Sequence, residues 1–241
     1  FAEGDSFSAS MLRAVLDKKL SSKKQSTKQT NSIRMLLMDS AALIQLTKES
    51  SLKPPFGLGE EGYLLQITPN TIVVAAHTNA GVFYGAQTLL QLIHTNSSNS
   101  TIPCLTIFDK PDMQMRGWQD DISRGPIPTL DFLKEEVRRM AGYKLNTFTL
   151  YTEHVFKLKK HPTIAPADGI SEEEIKELTA YAKNYHVEMI GNFQSFGHFS
   201  NILKVPGYES LAENPQTLSP AKEEAYRFLS DAYSEVAPAY S

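Results

Sequence analysis

The chain has 241 residues and a formal net charge of −3, with 41% hydrophobic and 21% charged residues, as is typical of a globular protein with one large or two smaller domains. Its basic residues are scattered, which argues against nucleic-acid binding, and no apolar run reaches the roughly 18 residues of a membrane-spanning helix. The single cysteine, Cys104, cannot form an intrachain disulfide and is predicted to be a small buried apolar residue. No spacing of potential ligands suggests a metal site.

The first 110 residues predict helices and strands that do not alternate regularly. Their hydrophobic spacing and β-rich runs predict, in chain order, a helix over residues 7–20, a strand over 33–38, a hairpin of strands over 63–68 and 71–76, a helix over about 80–93 capped by Asn79, and a strand over 102–108. This pattern predicts a small α+β domain over residues 1–110.

After Asp109 the pattern changes to alternating strands and helices. The sequence predicts strands over residues 115–122, 146–151 and 187–192, helices over 128–140 and 171–185 between them, and helices over 197–203 and about 219–236 after them. Ser171, followed by three glutamates, is a strong N-cap. The alternation predicts an α/β fold, either the opening of a (β/α)8 TIM barrel or a doubly wound sheet.

The length of this second region bounds how much of a barrel it can hold. A full barrel takes about 250 residues, whereas about 130 follow Asp112. Residues 111–241 are therefore expected to form the N-terminal half of a barrel, truncated before strand four. The unpaired edges of such a sheet predict that the chain self-associates or is poorly stable.

Polar side chains gather around each of the three predicted parallel strands. Because the carboxyl ends of parallel strands meet at one edge of a sheet, we expect these side chains to converge on one polar ligand. The candidates are Arg116, Asp120, Asp121 and Arg124 from the first strand, Tyr151, Glu153 and His154 from the second, and Asn192, Gln194 and His198 from the third.

The candidates on the first strand also have structural interpretations. Arg116 is expected either to bind neighbouring ligand hydroxyls or a carboxylate through its forked guanidinium, or to pair with a carboxylate of the fold. Asp121 and Arg124 are interpreted first as a structural salt bridge beneath the ligand, and otherwise as ligand-binding groups.

The later candidates leave similar alternatives. Glu153 and His154 form either an acid–base pair or a histidine held by a neighbouring group, since adjacent residues at a strand end point in opposite directions. His198 follows Gly197, which permits a tight turn, and either contacts the ligand or caps the loop. No P-loop or GxSxG motif occurs, so the commonest nucleoside-triphosphate and acyl-transfer sites are not indicated.

Several short motifs, taken together, resemble one enzyme family. Arg116-Gly117, the segments 121–124 and 144–154, and Gln194-Ser-Phe-Gly-His198 are similar to the β-N-acetylhexosaminidases of glycoside hydrolase family 20, especially its branch with a Tyr-x-Glu-His strand end. Residues 81–89, Gly-Val-Phe-Tyr-Gly-Ala-Gln-Thr-Leu, resemble the small domain that precedes the barrel in that family.

The resemblance implies a chemistry and a location. Members of the family remove a terminal β-linked N-acetylhexosamine with retention, because the acetamido oxygen of the substrate attacks its own anomeric carbon. An Asp orients the acetamide, the adjacent Glu is general acid and then base, and no cofactor is needed. The family's sugar-binding Arg at the end of strand one carries over to Arg116, and its His after strand three to His198. An exported protein, periplasmic or extracellular, is also implied.

One departure limits what this chain is expected to do. The family's Asp-Glu pair lies at the end of strand four, whereas this sequence reaches Ser241 first and has no Asp-Glu dipeptide in residues 111–241. We therefore expect a hydrolase as the parent protein and an inactive polypeptide here. The alternatives are a non-catalytic carbohydrate-binding protein and a structural module. The predicted sugar-binding set is Arg116, Glu153, His154, Asn192, Gln194 and His198.

Overall fold

A computed structural model of the chain describes residues 6–20, 32–49, 57–95 and 101–241. The chain divides into two compact units, Phe1–Gln114 and Met115–Ser241. Within the described part of the chain, no helix is both long enough and apolar enough to cross a membrane.

The first unit is built on a mixed four-stranded sheet. Its elements are α1 (Ser6–Leu20), β1 (Ser32–Leu37), α2 (Ser40–Glu49), β2 (Tyr63–Ile67), β3 (Thr71–Ala76), α3 (Asn79–Thr95) and β4 (Leu105–Asp109). The strand order is β1-β3-β2-β4. β1 is parallel to β3, and β2 is antiparallel to both of its neighbours. The predicted β2–β3 hairpin is therefore confirmed.

Close packing of α3 on the sheet explains a glycine in the middle of that helix. A Cβ added at Gly85 would lie 2.5 Å from Val74 Cγ1, so only a residue without a side chain fits there. Beside this contact the buried phenol of Tyr63 meets Thr88 Oγ1 at 2.6 Å and donates to Asp109 Oδ2 at 2.7 Å. Burial is the main cause of the raised pKa of Tyr63.

Three details of this unit differ from the sequence predictions. Helix α2 was not predicted; it begins where Asp39 Oδ1 accepts a hydrogen bond from Ala42 N at 2.7 Å. At the start of α3 the capping oxygen is Thr78 Oγ1, which accepts from Gly81 N at 3.2 Å, rather than the side chain of Asn79. Cys104 is exposed, so the prediction of a buried cysteine is wrong.

The second unit contains an all-parallel three-stranded sheet. Its elements are β5 (Gly117–Asp121), α4 (Leu130–Gly142), β6 (Thr147–Tyr151), α5 (Glu172–Asn184), β7 (Glu188–Asn192), α6 (Ser200–Leu203), β8 (Ala212–Asn214), β9 (Thr217–Leu218) and α7 (Glu223–Val236), with 3-10 turns at Glu209–Leu211 and Ala237–Tyr240. The sheet order is β5-β6-β7. β8 and β9 form a separate small hairpin that the sequence did not predict.

The helices of this unit begin and end as their local sequences dictate. Thr129 caps α4, and Ser171, the predicted N-cap of α5, forms a capping box with Glu174. Two residues after each helix ends, the chain has a residue with left-handed backbone, Lys144 (φ 60°) after α4 and His186 (φ 54°) after α5. β6 and β7 begin within three residues of these positions.

One face of the parallel sheet is covered by the unit's apolar core. Phe148 of β6 is fully buried and Met189 of β7 is 5% exposed. On the same face an added Cβ at Gly191 would lie 2.7 Å from Tyr240 Cδ2, so the Tyr240 ring packs directly on the β7 backbone. Burial raises the pKa of that phenol.

On the opposite face of the sheet, polar side chains lie in a row at the carboxyl ends of the strands. Asp121 pairs with Tyr151, and Tyr151 pairs with Asn192, in the parallel register. Because residues in register on neighbouring strands point to the same face, these three side chains line one side of what we call the carboxyl edge, the edge at which β5, β6 and β7 end.

Candidate functional site

Arg124 connects three loops at the carboxyl edge. Its Nη1 forms an ion pair with Asp121 Oδ2 at the end of β5. Its Nη2 lies 2.8 Å from Glu153 Oε1 after β6 and 2.9 Å from His198 Nδ1 after β7. The Arg124 side chain is nevertheless 51% exposed, so it remains accessible to a ligand. The Asp121–Arg124 salt bridge that the sequence predicted is therefore present.

The turn after β5 fixes the position of Arg124. Asp121 Oδ1 accepts hydrogen bonds from Ser123 N at 3.0 Å and from Ser123 Oγ at 2.6 Å, an Asx turn that reverses the chain. Burial acts to raise the pKa of Asp121, but the bonds from Ser123 and Arg124 outweigh it and lower the pKa. Asp121 is thus held as the carboxylate that anchors the guanidinium.

Glu153 is a buried carboxylate in a strained backbone position. It is 6% exposed, and its φ of 40° lies in the left-handed region that non-glycine residues rarely adopt. A buried carboxylate needs a charged or hydrogen-bonding partner, and Arg124 supplies one. The preceding Thr152 fixes the turn, since its Oγ1 donates to Asn192 O at 2.9 Å.

His198 also has a left-handed backbone, with φ of 62°, and its side chain is 57% exposed. An arginine N–H can donate but cannot accept, so His198 Nδ1 must accept from Arg124 Nη2. The neutral ring then carries its proton on Nε2, where it can donate to a ligand. The contact between His198 Nδ1 and Glu153 Oε1 is longer, at 3.4 Å.

Tyr151 forms an aromatic wall beside these groups. Arg124 Cζ lies 5.3 Å from the centre of its ring, a cation–π distance, and the His198 ring meets it edge-on at 6.1 Å. Burial, followed by the hydrogen bond to Glu153, raises the pKa of Tyr151. Tyr151 and Arg124 were candidates by sequence but were left out of the predicted sugar-binding set.

Arg116 lies at the other end of the sheet. Its N donates to Asn146 Oδ1 at 2.9 Å and its Nε to Lys144 O at 2.8 Å, and both acceptors precede β6. The five residues of β5 separate it from the carboxyl edge by roughly 16 Å. This placement disfavours the prediction that Arg116 and His198 reach one sugar ring, because Arg116 precedes the strand whose far end carries Arg124. Contact of Arg116 with sugar stays a prediction.

The remaining predicted residues lie near the carboxyl edge with differing partners. His154 Nδ1 is 3.2 Å from Asn201 Nδ2 of α6, which favours a histidine held by a neighbour over an acid–base pair with Glu153. Burial lowers the pKa of His154, against the opposing charge of Glu153. Asn192 and Gln194 are half-buried at the end of β7 and after it, and their contact with sugar stays a prediction.

Metal and nucleotide sites are not evident in the described residues. Among them no group of three or more His, Cys, Asp or Glu side chains is arranged to hold a metal ion. Residues 57–62, Gly-Leu-Gly-Glu-Glu-Gly, have the GxGxxG spacing. They precede β2, whereas a dinucleotide-binding fingerprint follows a strand and opens a helix.

Comparison with curated proteins finds β-hexosaminidases. The chain is 29% identical over 220 residues to the β-hexosaminidase of Porphyromonas gingivalis, covering 76% of this chain and 28% of that protein. It is 28% identical over 218 residues to the β-hexosaminidase of Vibrio furnissii, covering 75% and 36% respectively. The chain therefore spans about a third of the length of the curated relatives it matches.

Solved structures share the fold. The N-acetyl-β-hexosaminidase of Streptomyces plicatus in complex with Thio-NAglucal matches with a TM-score of 0.73 at 22% identity, over 98% of this chain and 52% of that one. The chitobiase of Flavobacterium johnsoniae matches with a TM-score of 0.70 at 22% identity, over 90% and 41%.

Family models match nearly the whole sequence. Residues 1–110 match glycosyl hydrolase family 20, domain 2, and residues 114–241 match glycosyl hydrolase family 20, catalytic domain. The resemblance drawn from the sequence motifs is confirmed: the chain belongs to glycoside hydrolase family 20.

Proposed function

We propose that the whole protein is a β-N-acetylhexosaminidase and that this chain supplies the part of its site that binds the terminal sugar. The observation that carries the proposal is the half-exposed Arg124 guanidinium, joined to Asp121, Glu153 and His198 at the carboxyl edge. Family membership and the names of the curated relatives support the substrate class, a terminal β-linked N-acetylhexosamine.

The fold proposal is that β5, β6 and β7 are the first three strands of a (β/α)8 barrel. Residues 111–241 would then be its N-terminal half, and residues 1–110 the small domain before it. Two features support this: the strands are parallel and adjacent in chain order, and the charged cluster gathers at their carboxyl ends, where barrel enzymes keep their active sites.

The cluster is suited to sugar hydroxyls. Arg124 offers a forked cation that can donate to two neighbouring hydroxyl groups, and the Nε2–H of His198 is a further donor beside it. Asp121 and Glu153 hold the guanidinium in place and balance its charge. The Tyr151 ring gives the apolar face of a sugar a surface on which to stack.

The bond-breaking step needs groups beyond this cluster. In substrate-assisted retaining hydrolysis the acetamido oxygen of the sugar attacks the anomeric carbon, with an adjacent Asp and Glu assisting. The chain contains no Asp-Glu dipeptide, and its buried Glu153 is engaged by Arg124. We therefore propose that the polypeptide binds the sugar without cleaving it.

Sugar binding and hydrolysis are measured separately on the 241-residue chain. Ligand-observed NMR with N-acetylglucosamine gives the affinity, and a chromogenic N-acetylglucosaminide gives hydrolysis. Because Arg124→Ala removes charge-assisted hydrogen bonds, we expect it to weaken binding by about tenfold or more. Unchanged affinity in Arg124→Ala contradicts the assignment of the site, and release of p-nitrophenol by the wild-type chain contradicts the claim that it does not cleave.

A further inference from the structure

The loop after β7, residues 193–199, carries two of the predicted sugar-binding residues and is attached to the rest of its unit on both sides. We call it the β7 loop. Its second half is fixed by main-chain bonds to the β8–β9 hairpin region: Leu218 N donates to Phe196 O at 2.9 Å and Phe199 N donates to Gln216 O at 3.0 Å. These bonds depend on no particular side chain.

The first half of the β7 loop is held by one tyrosine of α7. Tyr233 Oη donates to Phe193 O at 3.0 Å and is also in hydrogen-bond contact with Ser195 Oγ. A phenol has a single proton, so Ser195 donates to Tyr233 Oη while Tyr233 donates to Phe193 O. The Tyr233 ring packs edge-on against the buried Phe193 ring, with centroids 6.0 Å apart.

The position of His198 depends on this backbone because its side chain has little packing of its own. The side chain is 57% exposed, and its ring contacts are with Arg124, Tyr151 and, at 3.4 Å, Glu153. Its left-handed φ of 62° is unfavourable for a residue with a Cβ, so the surrounding chain must impose it. A loop that relaxes would move the ring away from Arg124.

The same helix also holds the loop that follows β6. The buried carboxylate of Glu235 accepts hydrogen bonds from the backbone N–H groups of Lys159 and Lys160. Lys160 Nζ also pairs with Asp231 at 2.7 Å. Two loops are therefore held by α7: the loop after β6, which carries Glu153, and the loop after β7, which carries His198.

We propose that Tyr233 is a positioning residue for His198. Its hydroxyl joins Phe193 O and Ser195 Oγ and so fixes the first half of the β7 loop. Together with the main-chain bonds at Phe196 and Phe199, this contact keeps His198 Nδ1 within hydrogen-bond distance of Arg124. The effect on sugar affinity rests on the proposed function, whereas the effect on the His198 ring does not.

The test compares two tyrosines of α7. Tyr233→Phe removes the hydroxyl that holds the β7 loop. Tyr226→Phe is the matched control, because Tyr226 Oη also donates to a backbone carbonyl, that of Pro220 at 3.0 Å, on the same helix. The readout is the His198 ring resonance in ¹H–¹³C NMR spectra recorded without sugar and assigned through His198→Gln.

We expect Tyr233→Phe to shift the His198 resonance, and Tyr226→Phe to leave it unchanged. Because one net hydrogen bond no longer orders the loop, affinity for N-acetylglucosamine falls about three- to tenfold in Tyr233→Phe alone. The proposal is overturned if the His198 resonance is the same in Tyr233→Phe as in the wild type, or if Tyr226→Phe moves it equally.

A second variant, Ser195→Ala, tests the same contact in case Tyr233→Phe does not fold. Ser195→Ala removes the hydroxyl partner from the loop side, at an exposed position, and is expected to shift the His198 resonance in the same direction. In the double variant the shift should not exceed that of Tyr233→Phe, because the two changes break one shared contact. Additive shifts count against a shared contact. A wild-type chain that binds no sugar refutes the proposed function but leaves the NMR comparison valid.

Discussion

An arginine lies at each end of the strands of the parallel sheet, one where the strands begin and one at the carboxyl edge. The hydrogen-bond acceptors of these two arginines differ. Arg116, at the edge where the strands begin, donates through Nε to the backbone oxygen of Lys144. Arg124, at the carboxyl edge, contacts the side chains of Glu153 and His198. A backbone acceptor is fixed by the fold, whereas side-chain partners can rearrange around a ligand.

The two ends of the strands also differ in the role of their residues with left-handed backbone conformation. The non-glycine residues with positive φ in the described part of the chain are Lys144, Glu153, His186 and His198. The two at the edge where strands begin end helices in hydrogen-bonded turns: Leu145 N donates to Met140 O at 3.0 Å and Val187 N donates to Ala182 O at 3.1 Å. The two at the carboxyl edge instead place charged or polar side chains next to Arg124, where backbone strain serves the site.

Loss of the Arg116 side chain is expected to affect stability but not sugar binding. Arg116→Ala removes the donor to Lys144 O, and we expect the free energy of unfolding to fall by about 1.5 kcal/mol while affinity for N-acetylglucosamine is unchanged. The only tryptophan, Trp118, lies in β5, so its fluorescence in a urea titration reports on this unit.

A matched control for Arg116 is available on α4. Arg139 pairs with Glu135 at 3.1 Å and its side chain is 70% exposed, so Arg139→Ala should change stability by less than about 0.5 kcal/mol. Loss of sugar affinity in Arg116→Ala as large as that in Arg124→Ala would show that the two arginines are not functionally distinct.

The left-handed residue that follows α5, His186, is expected to tolerate replacement by glycine. His186→Gly removes the unfavourable Cβ at the end of α5, and we expect a gain of about 0.5–1 kcal/mol in unfolding free energy after the entropic cost of glycine. Lys183→Gly, placed inside the last turn of the same helix, should instead lose about 1 kcal/mol. Both are measured by urea unfolding.

The carboxyl edge should respond differently to the same change. His198→Gly relieves a similar backbone conformation but removes the acceptor of Arg124 Nη2, so sugar affinity should fall. If His186→Gly is destabilising, the helix end is held by its side chain and the contrast between the edges is lost.

Most regular elements followed from local sequence patterns. The strands predicted over 115–122, 146–151 and 187–192 are β5, β6 and β7, and the Ser171 cap is present as predicted. Helix α2 was missed because its apolar run is short. The β8–β9 hairpin, with strands of three and two residues, gives almost no periodic signal.

The site was less predictable because its contacts are long-range. Arg124 meets a partner 29 positions away in Glu153 and another 74 positions away in His198, and no local pattern records such distances. The role of Arg116 was inferred from the family resemblance and not from its place in the strand. Arg116 lies just before β5, and the carboxyl ends of the parallel strands, where Arg124 lies, are at the other end.

Neutralising a carboxylate near the carboxyl edge is expected to change stability only slightly. Burial and then the charge of Asp121 raise the pKa of Asp120, and burial and then the charge of Asp120 raise the pKa of Glu136. A carboxyl whose pKa is raised by folding destabilises the folded state above that pKa, and the penalty disappears as pH falls toward the pKa of the unfolded chain.

Asp120→Asn should therefore raise the melting temperature at pH 7 and give no gain at acidic pH, with Asp131→Asn on the first turn of α4 as the control. Because Asp120 is partly exposed, solvent screening keeps the gain small. An equal gain at both pH values would mean that side-chain packing, rather than charge, limits stability at this end of β5.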